Sequence, residues 1–153
     1  MSLSRFTRAL RGASRIGVDT PVWIYHLQDV RPYSDLTTHL FAEAAAGKVE
    51  LILSTISLAE ILAGPWRAND AGRAHRIEGA LETLPGVTPA PTTWAVAASA
   101  ARIRGERNLP LPDALIIAST LAQGAQVLLT NDAQWTRAAS LGGQVVFLDD
   151  YTT

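Results

Sequence analysis

The stretch Arg15-Ile16-Gly17-Val18-Asp19-Thr20-Pro21 is where the fold becomes readable. A short apolar run, RIGV, stops at an acid, and the proline two residues later suits the first turn of a helix, here one running through Trp23, Ile24 and Leu27. This is a strand followed directly by a helix. Working outward, Ser34 and Asp35 offer a cap for a helix carrying Leu36, Leu40, Phe41 and Ala44 on one side, which Gly47 ends. Val49 to Leu53 (VELIL) then reads as a second strand, and Ser-Thr leads into a helix with Leu58, Ile61 and Leu62 that Gly64-Pro65 is expected to end.

The alternation continues to the C-terminus. Ala74, Ile77, Ala80, Leu81 and Leu84 keep helical spacing within 69–84, and Pro85-Gly86 separates them from a short extended piece, Val87 to Ala90. Pro91 to Glu106 is an alanine-rich helix, Pro110 to Pro112 forces a turn, and Asp113 to Gln123 is the next helix. Val127 to Leu129 is a buried strand leading to Thr130-Asn131-Asp132; a short helix from Trp135 to Ser140 and a last strand, Val145 to Leu148, complete the chain. Strands alternating with helices indicate an α/β sandwich built on a mostly parallel sheet. No internal repeat and no linker interrupts it.

Composition sets the bounds. The 153 residues suit one domain with a core that needs no disulfide, and 48% hydrophobic against 18% charged residues is ordinary for a globular chain. With no cysteine, a thiolate metal site, a cysteine nucleophile and a disulfide framework are all excluded, and the chain suits a reducing, cytoplasmic setting. Residues 1–14 carry Arg5, Arg8 and Arg11 but no apolar run long enough for a leader or a membrane span, and are expected to form a poorly ordered basic extension ahead of a domain spanning 15–153. The formal net charge is −1, so a polyanion would have to be held by a local patch. Twelve of the 13 basic residues are arginine, the side chain best matched to phosphate.

Four acids stand at comparable places in this pattern. Asp19 follows the first strand, Glu60 lies in the helix after the second, Asp113 opens a helix, and Asp132 follows the fourth strand. In a parallel sheet, residues beyond the carboxyl ends of the strands gather along one edge, where such folds bind ligands. Each acid also has a structural explanation: Ser57-Leu58-Ala59-Glu60 matches a capping box, Asp19 and Asp132 could be N-caps, and Asp113 suits a first helical turn. Capping does not require acids at so many exits, however, since serine, threonine and asparagine serve equally well. Converging carboxylates repel one another unless a cation sits among them, and an all-oxygen donor set favours Mg²⁺ or Mn²⁺ over zinc.

The strand end Val18-Asp19-Thr20, the helix Ser57-Leu58-Ala59-Glu60-Ile61-Leu62, the run Pro112-Asp113-Ala114-Leu115-Ile116-Ile117-Ala118, and Leu128-Leu129-Thr130-Asn131-Asp132 with Trp135 together resemble the PIN-domain family, and most of all its VapC-type toxins of toxin–antitoxin pairs. The resemblance runs from about Ile16 to Leu148. It implies a three-layer α/β/α sandwich with a five-stranded, mostly parallel sheet. It implies Mg²⁺ or Mn²⁺ held by Asp19, Glu60, Asp113 and Asp132, with Thr20, Thr130 and Asn131 as supporting polar groups. The implied activity is endoribonucleolytic hydrolysis of RNA, and the implied partners are a small cognate antitoxin and a second copy of the chain. No histidine is needed, in keeping with the absence of His26, His39 and His75 from the strand exits.

The near-neutral charge and the long basic lead depart from the family pattern. Candidate phosphate contacts are Arg102, Arg104 and Arg107 beside the Asp113 loop, and Arg67, Arg73 and Arg76 after the Glu60 helix; for all of them the ordinary role is solvated helix-face charge. Asp149 and Asp150 also follow a strand but read as a solvated tail at the sheet edge. A receiver domain would need a lysine at a later strand exit, whereas Lys48 precedes the second strand, and a haloacid-dehalogenase-type phosphatase would need an acid where Pro21 stands. The remaining alternatives are an inactive PIN-like binding protein and a general single-stranded nuclease; a degenerate binding copy would be expected to lack at least one of the four acids, and all four are present.

Overall fold

The computed structural model describes residues 2–153. Five parallel strands form one sheet: β1 (Arg15–Val18), β2 (Glu50–Ser54), β3 (Val87–Ala90), β4 (Val127–Thr130) and β5 (Gln144–Phe147), in the order β3-β2-β1-β4-β5. The chain moves outward from β1 to β2 and β3, then returns to the other side of β1 for β4 and β5. The carboxyl ends of β1 and β4 therefore flank the point where the direction of winding reverses, where a parallel sheet opens a crevice.

The helices are α1 (Ser2–Ala9), α2 (Thr20–Leu27), α3 (Tyr33–Ala45), α4 (Thr55–Arg67), α5 (Ala71–Thr83), α6 (Trp94–Arg107) and α7 (Leu111–Ala122), with 3₁₀ turns at Ala133–Ala138 and Leu148–Tyr151. Side chains alternate across each strand and so build two cores. Ile16, Val18, Leu51, Leu53, Val127 and Leu129 pack on one face with Val22, Trp23, Leu40 and Phe41 of α2 and α3. Ile52 and Leu128 pack on the other with Val96, Ile103, Ile116 and Ile117 of α6 and α7. The result is a three-layer α/β/α sandwich.

Gly17 explains how close α7 comes to the central strand. A Cβ there would lie 2.7 Å from Thr120 Cβ and 3.2 Å from a Leu128 methyl, so the residue is a contact surface rather than a turn. Gly17→Val is expected to cost about 1–3 kcal/mol through overpacking, read as a fall in the urea midpoint at unchanged slope. An unchanged midpoint would mean that α7 does not seat on β1.

Several expected boundaries shift. The helix expected to stop at Gly64-Pro65 continues to Arg67: Pro65 is buried within it, and Ala68 N–H closes the last turn onto the Gly64 and Trp66 carbonyls. The N-terminal extension is not a loose arm. Ser2–Ala9 is helical because Phe6, fully buried, packs against Tyr151 with ring centroids 5.5 Å apart, while Arg5 stands 5.7 Å over the same ring. Only Met1 of that segment lies outside the described residues. Nor are Asp149 and Asp150 a free tail, since they lie in the Leu148–Tyr151 turn on which α1 rests, and Asp149 accepts a hydrogen bond from the Tyr33 hydroxyl at 2.8 Å. No helix among the described residues is long and apolar enough to cross a membrane.

Candidate active site

Asp19 is the pivot. As the N-cap of α2, it accepts from Thr20 N–H at 2.8 Å through one carboxyl oxygen; through the other it accepts from Thr130 Oγ1 at 2.7 Å. The residue is only 3% exposed. Burial raises its pKa to about 7 despite those two hydrogen bonds, and the charges of Asp113 and Asp132 push it further in the same direction. Asp113, half-buried in the first turn of α7, is raised to about 6, first by burial, then by Asp132, with a smaller push from Glu60. All four acids are thus electrostatically coupled, and among the described residues none is neutralised by an ion pair.

Two threonines tie the acids to the frame. Thr130 links β4 to both neighbours: its hydroxyl donates to Asp19 and accepts from Asp132 N–H at 2.9 Å. Asp132 in turn caps the following 3₁₀ turn by accepting from Gln134 N–H at 2.9 Å. Thr20 Oγ1 donates to Glu60 Oε1 at 2.8 Å and lies 2.9 Å from Ser57 Oγ. The capping-box reading of Ser57 and Glu60 fails here, because α4 begins at Thr55 with Ser54 as its cap and Glu60 sits in its second turn. Glu60 and Asp113 have no capping hydrogen bond to account for them.

Other expected contacts fall elsewhere. Asn131 does not support the acids: its Oδ1 accepts from Asp149 N–H at 2.8 Å and so fastens the C-terminal turn, leaving Nδ2 buried without a partner. Arg102 is ion-paired to Glu106 at 2.9 Å one turn along α6. Arg104 donates to the Leu109 carbonyl, and Arg107 to the carbonyls of Arg137 and Ala139, so these two guanidiniums brace loops. His26 stacks on Phe41 and His75 meets Trp66 edge to face.

Trp135 is a site residue whose polar role was not legible in the sequence, where it figured only as an aromatic landmark. Fully buried, its indole N–H faces the Asp113 carboxyl and favours the charged form without closing a well-formed hydrogen bond. An orphaned donor among coupled acids marks a place organised for charge.

The donor set is all carboxylate. Among the described residues, no three acidic or histidine side chains are gathered tightly enough to grip an ion by direct contact. An all-carboxylate donor set matches a hard, oxygen-seeking cation rather than a soft, thiolate-bound one.

An α/β/α sandwich with acids clustered at the reversal point of a parallel sheet defines a class of protein whose ligand sits at the carboxyl edge. The PIN domain family matches residues 16–141, and the chain belongs to it; PIN domains are in general nucleases. No curated protein matches the chain by sequence. Solved structures share the fold. A DNA-bound VapBC from Salmonella typhimurium matches with a TM-score of 0.68 at 16% identity, covering 88% of this chain and 98% of that one. VapBC2 from Rickettsia felis, bound to a promoter DNA fragment, matches with 0.66 at 15% identity, covering 87% and 98%. A toxin–antitoxin complex from Klebsiella pneumoniae matches with 0.64 at 23% identity, covering 88% and 98%.

Proposed function

We propose that the chain is a divalent-metal-dependent endoribonuclease of the VapC toxin type, which works at the Asp19, Glu60, Asp113 and Asp132 cluster and is restrained by a small antitoxin protein. The observation that carries this reading is the coupling of four acids from distant parts of the chain, none of them ion-paired, at the reversal point of the sheet. The toxin–antitoxin complexes among the structural neighbours support the antitoxin partner, and pairing with a second copy of the chain belongs to the same reading.

Asp19 would be the innermost ligand, its two carboxyl oxygens oriented by Thr20 N–H and Thr130 Oγ1, with Asp113, Asp132 and Glu60 around it. A bound Mg²⁺ or Mn²⁺ supplies two things, acidification of water to make a nucleophile and neutralisation of charge on phosphate oxygens. Thr20 restrains a Glu60 oxygen, Thr130 an Asp19 oxygen and Gln134 N–H an Asp132 oxygen, so the chain's own contribution is to fix donor oxygens before substrate arrives.

The test is a gel assay with end-labelled RNA and single-stranded DNA. RNA is expected to be cut with Mg²⁺ or Mn²⁺ present and to stay intact with chelator or with Asp132→Asn. Cleavage indifferent to metal and to Asp132 contradicts the mechanism, and equal cleavage of DNA replaces the ribonuclease by a general single-strand nuclease.

A further inference from the structure

We infer that the cleft between α2, α4 and α5 is the track along which a single-stranded RNA backbone runs into the acidic site, held there by Arg67, Arg73 and Arg76. The inference rests on the ribonuclease reading above and names the residues that would hold its substrate.

The cleft has a volume of about 530 Å³, with an apolar floor from Ile24, Ile61 and Ile77, and one of its walls is Glu60. It therefore reaches one of the four acids, Glu60, whose carboxylate is tied through Thr20 to the residue next to Asp19. Arg67, at the end of α4, and Arg73 and Arg76, on α5, line the same cleft; all three are exposed, and none makes an ion pair among the described residues. The contrast with α6 is direct, because there Arg102 is paired to Glu106 while Arg104 and Arg107 donate to carbonyls.

Electrostatics requires such a patch. Four coupled carboxylates repel a polyanion, and a net charge of −1 supplies no attraction at long range. A phosphodiester can approach only if cations lie beside the acids, and guanidinium groups, planar and always charged, match phosphate oxygens in pairs. Next to Arg67 in the chain, Trp66 is 52% exposed and braced edge-on by His75 at 5.6 Å, which leaves a flat apolar face for a base to stack on. An acidic peptide could satisfy the arginines but would make no use of that face, nor of the reach to Glu60.

The experiment measures fluorescence anisotropy of a labelled twelve-nucleotide single-stranded RNA of mixed sequence with the full chain in chelator, where binding is read without cleavage. Compared with wild type, the triple variant Arg67→Gln, Arg73→Gln, Arg76→Gln is expected to bind at least about tenfold more weakly. Its log affinity against log salt should be shallower by about 2, at roughly 0.7 per lost phosphate contact on a single strand. Circular dichroism shows whether the triple variant is folded; if it is not, Arg73→Gln alone is expected to give a reduced slope change of roughly 0.7. Unchanged affinity and slope in a folded variant overturn the assignment, as does a larger loss from Arg102→Gln, Arg104→Gln, Arg107→Gln, or wild type that binds a glutamate-rich peptide but not the RNA. Because the readout is binding, arginine-dependent RNA capture by a chain that cuts nothing would support the track while defeating the nuclease reading.

Discussion

Asp19→Asn is expected to lower RNA cleavage by roughly a thousandfold or more, about 4 kcal/mol in the activation barrier, while leaving the protein folded. The reason lies in what the substitution keeps. Asparagine is the same size, its Oδ1 can still accept from Thr20 N–H, and its Nδ2 can donate to Thr130 Oγ1 in place of the hydrogen bond that Asp19 now accepts. What it removes is the negative charge at the most buried point of the site. A cap or core residue replaced by a near-isostere would cost little activity and some stability. A ligand-bearing acid replaced in the same way costs activity and, without metal, no stability at all. The check is single-turnover cleavage of a labelled RNA beside a thermal melt of the same preparation, and an active Asp19→Asn protein would remove this residue from the machinery.

The second large effect is on stability as a function of pH and metal. Burial raises Asp19 from the ordinary aspartate value of 3.8 to about 7, so between roughly pH 4 and pH 7 the folded protein holds a proton that the unfolded chain has released. Metal-free protein should therefore lose stability as pH rises through that window, by up to about 4 kcal/mol from this group, and change little from it above pH 7. Asp113, raised to about 6, acts in the same direction over a narrower range. Asp19→Asn removes the largest contributor, so the difference between wild type and variant isolates it from the background of other titrating groups. Wild type should melt below the variant at pH 8, by on the order of 10 °C, and near it at pH 4. Saturating Mg²⁺ should raise the wild-type melting point more at pH 8 than at pH 5, since protonated acids compete with the ion. A wild-type protein that gains stability steadily from pH 4 to pH 8 without metal would show that Asp19 is not strained by its surroundings.

Both expectations follow from elements that were legible in the sequence for a physical reason. RIGV, VELIL and VLL are runs long enough for a buried strand and too short for a helix, each followed by polar residues, and they became β1, β2 and β4 with ends shifted by a residue or so. Parallel topology then brings the strand exits together, so Asp19 and Asp132 could be placed side by side without coordinates. What failed was local. Gly64-Pro65 reads as a stop because proline removes one helical hydrogen bond, but the burial of Pro65 outweighs that loss. The N-terminal lead reads as a loose basic arm because its three arginines dominate its composition, whereas one side chain, Phe6, is enough to anchor it against Tyr151. Asn131 and the α6 arginines were misplaced for a related reason: adjacency in the chain shows which side chains are near an edge, not which way they turn. The orphaned Trp135 N–H carries no sequence signal, since it depends on a tertiary contact with Asp113.

The most direct measurement is a calorimetric titration of Mn²⁺ into wild type and into Asp19→Asn, Glu60→Gln, Asp113→Asn and Asp132→Asn at pH 7.5. Wild type should show saturable binding, and each substitution should weaken it by about tenfold or more, because four segments far apart in the chain share one ion. No binding by the folded wild type, or four variants that titrate as it does, would contradict a common metal site.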